Sequence, residues 1–468
     1  MHPGHGCQPL HARRGCNDVP AVENLTIRAY DSVHPSTQVA KKRKHCPIIR
    51  QYGLGADIFN TYGCWLLADA VMNDDVIDPT QATEEKQALV LSGGGARAAY
   101  QVGALSYIAR EIPDYRPQIL TGASAGAINA VYLASHRGLW RDAAEGLARL
   151  WLNLDTPKVY RTDVRSISRR VLHWGLRLLS GGRLGRANLR GMVDNAPLRR
   201  YLGAALPLDG QRILGIQDNI DDGLLESLAI ITTNYGTGRS RAWVESSHDR
   251  LWTGSQLRAV QADMTLDHVM ASAALPLFFQ AVKLGEAWHG DGGIRLTAPL
   301  SPALHLGATR ILAVSPRATP VNVMPESLRL SYPSPAQIAG TLLNSVFLDL
   351  LDYDAVQMNR INRILDKVPA SERGEFRKVD VMVLRPRDDL GKLAREYERE
   401  LPGSFRYFER GLDDRSEDSS DTLSMVMFEP EYLGLLLRLG EEDARARHDE
   451  IEAFLRGEAC AVPPPTTR

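Results

Sequence analysis

Ser124 stands in Gly122-Ala123-Ser124-Ala125-Gly126, downstream of a glycine run, Gly93-Gly94-Gly95. A G-x-S-x-G between a strand-like and a helix-like stretch puts the serine on a sharp turn with its hydroxyl exposed. The small flanking residues let the backbone turn without clash. Glycines after an earlier strand leave bare N–H groups for a developing oxyanion. Arg97 adds a cation beside them. A nucleophile with oxyanion donors is equipment for acyl transfer, and it still needs a base.

A Ser-His-Asp hydrolase of this type orders its partners as serine, acid, histidine. The later histidines offer little. His268 and His305 fall in helix-like stretches, and no His-Gly-Gly precedes Gly93. The alternative base is a carboxylate. Asp291 lies between glycines in Gly290-Asp291-Gly292-Gly293, after a short apolar strand, where neighbours can approach closely. Asp-Gly-Gly is also an ordinary turn signal. His289 shares the face of Asp291 at i, i+2 and is a candidate to assist or to line a pocket.

The same glycines satisfy G-x-G-x-x-A, a dinucleotide fingerprint. That reading needs an acidic residue near the end of the next strand, and here that strand runs into Gly122 and the serine turn. A phosphate loop is excluded by the missing Gly-Lys-Ser/Thr. Asp218 to Gly223 hints at a cation loop but lacks the third-position ligand and the final glutamate, so a turn is expected.

The elements around these residues alternate. Residues 88–91 read as a buried strand and 96–110 as a helix with Ala99, Val102, Leu105 and Ala109 on one face. Residues 118–121 read as a second strand, and 125–136 as a second helix stopped by Gly138. This β-α-β-α order signs a parallel sheet covered by helices. Further strands are expected at 228–233, 241–244, 310–315 and 379–384, and helices at 266–274 and 353–365. Two terminal helices, 432–439 and 441–455, are expected on either side of Gly440.

In order and setting, Gly93-Gly94-Gly95-Ala96-Arg97, Gly122-Ala123-Ser124-Ala125-Gly126 and Asp291-Gly292-Gly293 resemble the three motifs of the patatin-like phospholipases. The segment Ala271-Ser-Ala-Ala-Leu-Pro276 is similar to the family's approach to its aspartate. The resemblance covers roughly residues 86–320. Ala98 departs from it, where many members carry glycine. The resemblance implies an α/β fold of three layers, with a mainly parallel central sheet flanked by helices and a mostly helical C-terminal region. It also implies a Ser–Asp dyad. Ser124 attacks an ester carbonyl, Asp291 takes its proton, and the turn Gly93, Gly94, Gly95 with Arg97 holds the oxyanion. Gly122 and Gly126 shape the nucleophile elbow, and Gly292 and Gly293 complete the aspartate motif. The implied substrate is a phospholipid or lysophospholipid, with no cofactor and no metal. General esterase or acyltransferase activity is the second reading, and a lipid-binding or regulatory module with a vestigial site the third.

Bulk properties agree. The 468 residues carry a net charge of −1, which gives no reason to expect a nucleic-acid partner. No stretch approaches the ~18 apolar residues of a membrane span, and residues 1–20 have no signal-like apolar core. The five cysteines, Cys7, Cys16, Cys46, Cys64 and Cys460, leave the motif-bearing region free of thiols. A cytoplasmic location is therefore expected, with membrane contact peripheral and on the inner face. The expected organisation is an N-terminal extension at 1–86, disordered in large part or an over-called start with Met72 a second initiator. A catalytic domain follows at 87–390, with its motif core at 87–320 and a basic helical insertion at about 160–205. A helical region with a disordered tail closes the chain at 391–468. In the insertion, Arg165, Arg169, Arg170 and Arg177 face one side and Trp174 joins the apolar stripe on the other. Such a helix is a candidate contact for anionic membrane.

Overall fold

The computed structural model describes residues 85–161, 193–248, 251–254, 256–318, 350–374, 376–397 and 420–458, and two single positions, 180 and 191. All belong to one compact unit, Trp65–Arg468. The basic stretch with Arg165, Arg169, Arg170, Trp174 and Arg177, residues 1–84 of the N-terminal extension and the five cysteines lie outside the described residues.

The sheet forms where short apolar runs are buried on both faces. β1 (Gln87–Leu91), β2 (Ile119–Ala123), β3 (Ser227–Asn234) and β8 (Arg310–Val314) have almost no exposed residue. That is the pattern of strands inside a helix-covered parallel sheet. β4 (Arg239–Ser246), β5 (Leu257–Gln261), β6 (Val282–Leu284), β7 (Ala287–Asp291) and β9 (Asp380–Leu384) complete a nine-stranded sheet. The main order is β9-β8-β1-β2-β3-β4-β5. From β9 to β3 all neighbours are parallel. β4 is antiparallel to β3 and parallel to β5. The strand leading to Asp291 was expected; its hairpin partner β6 was not, nor was β5.

Strand alternation divides the core. Leu89, Leu91, Leu120, Leu228 and Ile230 join one cluster, and Ala88, Val90, Ile119, Ala229 and Ile231 the other. The first cluster is covered by α1 (Ala99–Glu111), α2 (Ala125–Ser135) and α3 (Trp140–Leu152), the last also unforeseen, and by α4 (Ala196–Ala205) and α5 (Leu266–Ser272). The second lies under Ser301–His305 and α6 (Leu350–Leu365). His305 there stacks on Trp252 with ring centroids 4.8 Å apart.

The C-terminal elements are α7 (Ser420–Val426), α8 (Pro430–Ala446) and α9 (His448–Arg456). The expected break at Gly440 is wrong: α8 runs through it and ends at Ala446. A Cβ on Gly440 would lie 2.1 Å from the Tyr100 carbonyl, and one on Gly103 of α1 would lie 1.9 Å from the Leu437 carbonyl. The glycine serves close packing of two helices, not termination. Asp443 seals the contact by accepting from Tyr100 Oη at 3.1 Å. The stretch from Asp218 that was expected to be a turn is mostly a short helix, Ile216–Asp221. Among the described residues no helix is long and apolar enough to cross a membrane.

Candidate active site

β3 brings the key side chains together by changing partners along one edge. Its first half pairs with β2, ending at Ala123 opposite Ile231. Its second half pairs with β7, beginning at Thr232 opposite Asp291. The residue after β2 is Ser124, so serine and aspartate arrive at the same point of the sheet from opposite directions. Ser124 Oγ donates to Asp291 Oδ2 at 2.6 Å.

Ser124 sits between β2 and α2 with φ 55° and ψ −130°. A non-glycine residue held there stores about 1–3 kcal/mol of strain, which surrounding structure must over-determine. Two restraints do so. Ser124 N–H donates to Ser272 Oγ at 3.0 Å, and Ser272 Oγ donates to the Ile231 carbonyl at 2.6 Å. Gly126 allows the tight approach of α2 to β1, since a Cβ there would lie 2.2 Å from the Leu91 carbonyl. Gly122 is equally closed, 2.6 Å from the Gly126 carbonyl. Ser272 was not assigned a role from sequence. It lies in the quoted Ala271–Pro276 segment, but no spacing rule ties that serine to the elbow.

Asp291 is fully buried. Its Oδ1 accepts the Gly293 N–H at 2.8 Å, its carbonyl accepts from Thr233 Oγ1 at 2.7 Å, and its N–H donates to the Ala274 carbonyl at 3.1 Å. Burial lifts its pKa to about 7, and the hydrogen bonds from Ser124 and Gly293 offset only part of that rise. Gly292 has no room for a side chain, with the Ile231 carbonyl 2.1 Å from its Cβ position.

The glycine turn follows β1 and leads into a short 3-10 stretch, Gly95–Ala98. Gly94 and Gly95 line the same pocket as Ser124, while Gly93 faces a smaller recess on the other side of the sheet. Gly95 has φ 58°, and its Cβ position is 2.1 Å from the Met425 carbonyl. Arg97 is placed differently from the expected oxyanion cation. It is buried and its Nε donates to Ser424 Oγ at 2.6 Å, tying the turn to α7.

His289 is fully buried and outside the pocket lining. Asn234 Oδ1 accepts the Gly236 and Thr237 N–H groups, so its Nδ2 faces His289 Nε2 at 3.3 Å. That leaves His289 Nδ1–H to donate to Thr232 Oγ1 at 2.9 Å. Burial, then the charges of Arg241 and His268, lower its pKa to about 4. His289 is thus neutral and committed to β3. His268 is likewise a helix-capping residue, accepting from Thr265 N–H at 3.1 Å. Among the described residues no cluster of three or more metal-ligating side chains exists.

The pocket above Ser124 holds about 740 Å³ of open space, mouth included. Its walls are almost wholly apolar, with Ile128, Leu154, Leu202 and Phe279 among them. A strained serine on a strand–helix turn, hydrogen-bonded to a buried carboxylate under an apolar pocket, is an arrangement that can support acyl transfer.

Residues 89–304 match the patatin-like phospholipase family, and this stretch is a patatin-like phospholipase domain. No curated protein matches the chain. Among solved structures it is similar to human GIVD cytosolic phospholipase A2, at 12% identity and a TM-score of 0.41 over 84% of this chain and 62% of that one. It is also similar to VipD from Legionella pneumophila, at 12% identity and a TM-score of 0.29 over 76% of this chain and 67% of that one. The effector ExoU matches at 14% identity and a TM-score of 0.25, over 80% of this chain and 61% of that one. The chain spans about three fifths of the length of the human phospholipase structure.

Proposed function

We propose that the protein hydrolyses carboxylic esters of phospholipids or lysophospholipids through a Ser124–Asp291 dyad. The observation that carries this is the 2.6 Å hydrogen bond from Ser124 Oγ to Asp291 Oδ2 at the base of an apolar pocket. The family of residues 89–304 agrees with it. Ser124 Oγ attacks the ester carbonyl carbon as its proton passes to Asp291. The oxyanion forms beside the Gly94–Gly95 turn and the N-terminus of α2, where the backbone supplies N–H groups and a favourable dipole. The carbon–oxygen bond to the alcohol then breaks, and the alcohol leaves with the proton from Asp291. Water attacks the acyl-enzyme and gives a proton to Asp291. The acid departs, and Ser124 regains its hydrogen. The sum is ester plus water giving acid plus alcohol. A polar substrate head would stay outside, because the pocket offers it few partners.

Fluorophosphonate labelling followed by peptide mass mapping tests the reading. Wild type should be modified at Ser124, and Ser124→Ala should take no label and hydrolyse no phosphatidylcholine or lysophosphatidylcholine. An unlabelled Ser124 in folded wild type, or near-wild-type turnover by Ser124→Ala, overturns it. Binding of vesicles without either labelling or hydrolysis would favour the lipid-binding module instead.

A further inference from the structure

The acyl pocket is completed by a part of the chain well beyond the patatin-like domain. Met425, Val426 and Phe428 line it together with Gly94, Gly95 and Ser124, whereas the domain match ends at residue 304. The segment is fixed at several points. Ser424 Oγ accepts from buried Arg97, and the Val426 carbonyl accepts from Tyr160 Oη at 2.8 Å. Glu429 accepts from Thr156 Oγ1 at 2.9 Å. The Met425 carbonyl lies where Gly95 leaves no room for a Cβ. Phe428 meets Tyr160 edge to face, with ring centroids 6.4 Å apart. Residues 423–428 are all buried. A mobile flap would not show this density of side-chain anchoring; this is a wall.

We infer that Val426 and Phe428 are specificity-determining residues that set which acyl chains the pocket accepts. The inference rests on the proposed acylation of Ser124 in this pocket. Its physics is that of any apolar slot: added bulk excludes longer chains, and removed bulk admits them. One methylene gained or lost in such a slot changes discrimination by about tenfold or more. Arg97 and Ser424 then have a positioning role, because they lock the wall to the turn that faces the reacting carbonyl.

The test compares p-nitrophenyl butyrate, octanoate and palmitate with full-length wild type, Val426→Phe and Phe428→Leu. Val426→Phe should lower the palmitate-to-butyrate ratio of kcat/KM by about tenfold, and Phe428→Leu should raise it. A purely structural role would change all three esters by one common factor. Ratios within about twofold of wild type in the folded variants overturn the inference. Should Phe428→Leu not fold, the ratio for Val426→Phe decides alone. Fluorophosphonate labelling of wild type separates the two failures. A labelled Ser124 with an unchanged chain-length profile removes only the wall, whereas an unlabelled one removes the dyad beneath it.

Discussion

Asp291→Asn should leave the protein inactive and change its stability with opposite signs at low and high pH. In the fold Asp291 is fully buried and keeps its proton up to about pH 7, while its ordinary value is 3.8. Between those two pH values the folded state holds one more proton than the unfolded chain. Stability from this group therefore falls as pH rises through that window and levels off above it. The loss amounts to about 4 kcal/mol on the alkaline side. Asparagine cannot ionise, so the variant escapes that loss. Its amide oxygen can still accept the Gly293 N–H and its amide nitrogen can face Ser124 Oγ, which leaves one buried N–H unpaired at about 1–3 kcal/mol. The balance favours the variant by about 1–3 kcal/mol above neutrality and the wild type by a similar amount near pH 4. Thermal unfolding across that range should show Tm curves that cross, with the variant about 1–4 °C higher at alkaline pH. Glu245 and Asp354 are also raised to about 7 by burial. They act on both proteins alike, so the difference between the curves isolates Asp291. A difference that stays constant with pH refutes the argument, because Asp291 then does not ionise near neutrality.

Two further outcomes follow from the same geometry. Only the ionised Asp291 can accept the Ser124 proton, so kcat/KM should rise with pH to a plateau, with its midpoint near 7; a flat profile from mildly acidic to neutral pH in stopped or continuous ester assays refutes the base assignment. Gly95→Ala puts a Cβ against the Met425 carbonyl and a left-handed φ on alanine, costing about 1–2 kcal/mol for the backbone alone. Activity should drop at least about a hundredfold while circular dichroism stays native, and retained turnover would show that the turn does not face the oxyanion.

The elements carrying Ser124 were legible because their signals are local. A short apolar strand, a glycine-flanked serine and an alanine-rich helix need no distant contact to be read, and β1, β2, α1 and α2 fall within a few residues of expectation. Asp291 was legible as a residue, but its position was not. That depends on the register of β3, where Thr232 pairs with Asp291 one step beyond the Ala123–Ile231 pair. Ser272, Met425, Val426 and Phe428 were illegible for the same reason: each reaches the site by long-range packing, and helix or strand periodicity says nothing about that. Gly440 shows the opposite error. Read locally it ends a helix, and only the Tyr100 carbonyl beside it reveals why α8 continues.

The exchange of partners along β3 also explains how a strained serine and an ionisable acid can share a buried site. β3 is paired with β4 along its whole length, so its other edge can pass from β2 to β7 without leaving the sheet. At the point of exchange Ser272 bridges Ser124 N–H and the Ile231 carbonyl, while Thr233 holds the Asp291 carbonyl. The elbow and the aspartate are therefore fastened two residues apart on one strand, at Ile231 and Thr233. The 2.6 Å contact between them does not depend on either loop finding its own position. Each restraint is a single hydroxyl. Evolution of such a site can thus tune burial of Asp291, and with it the pH at which the base becomes active, without disturbing the distance across which the proton moves.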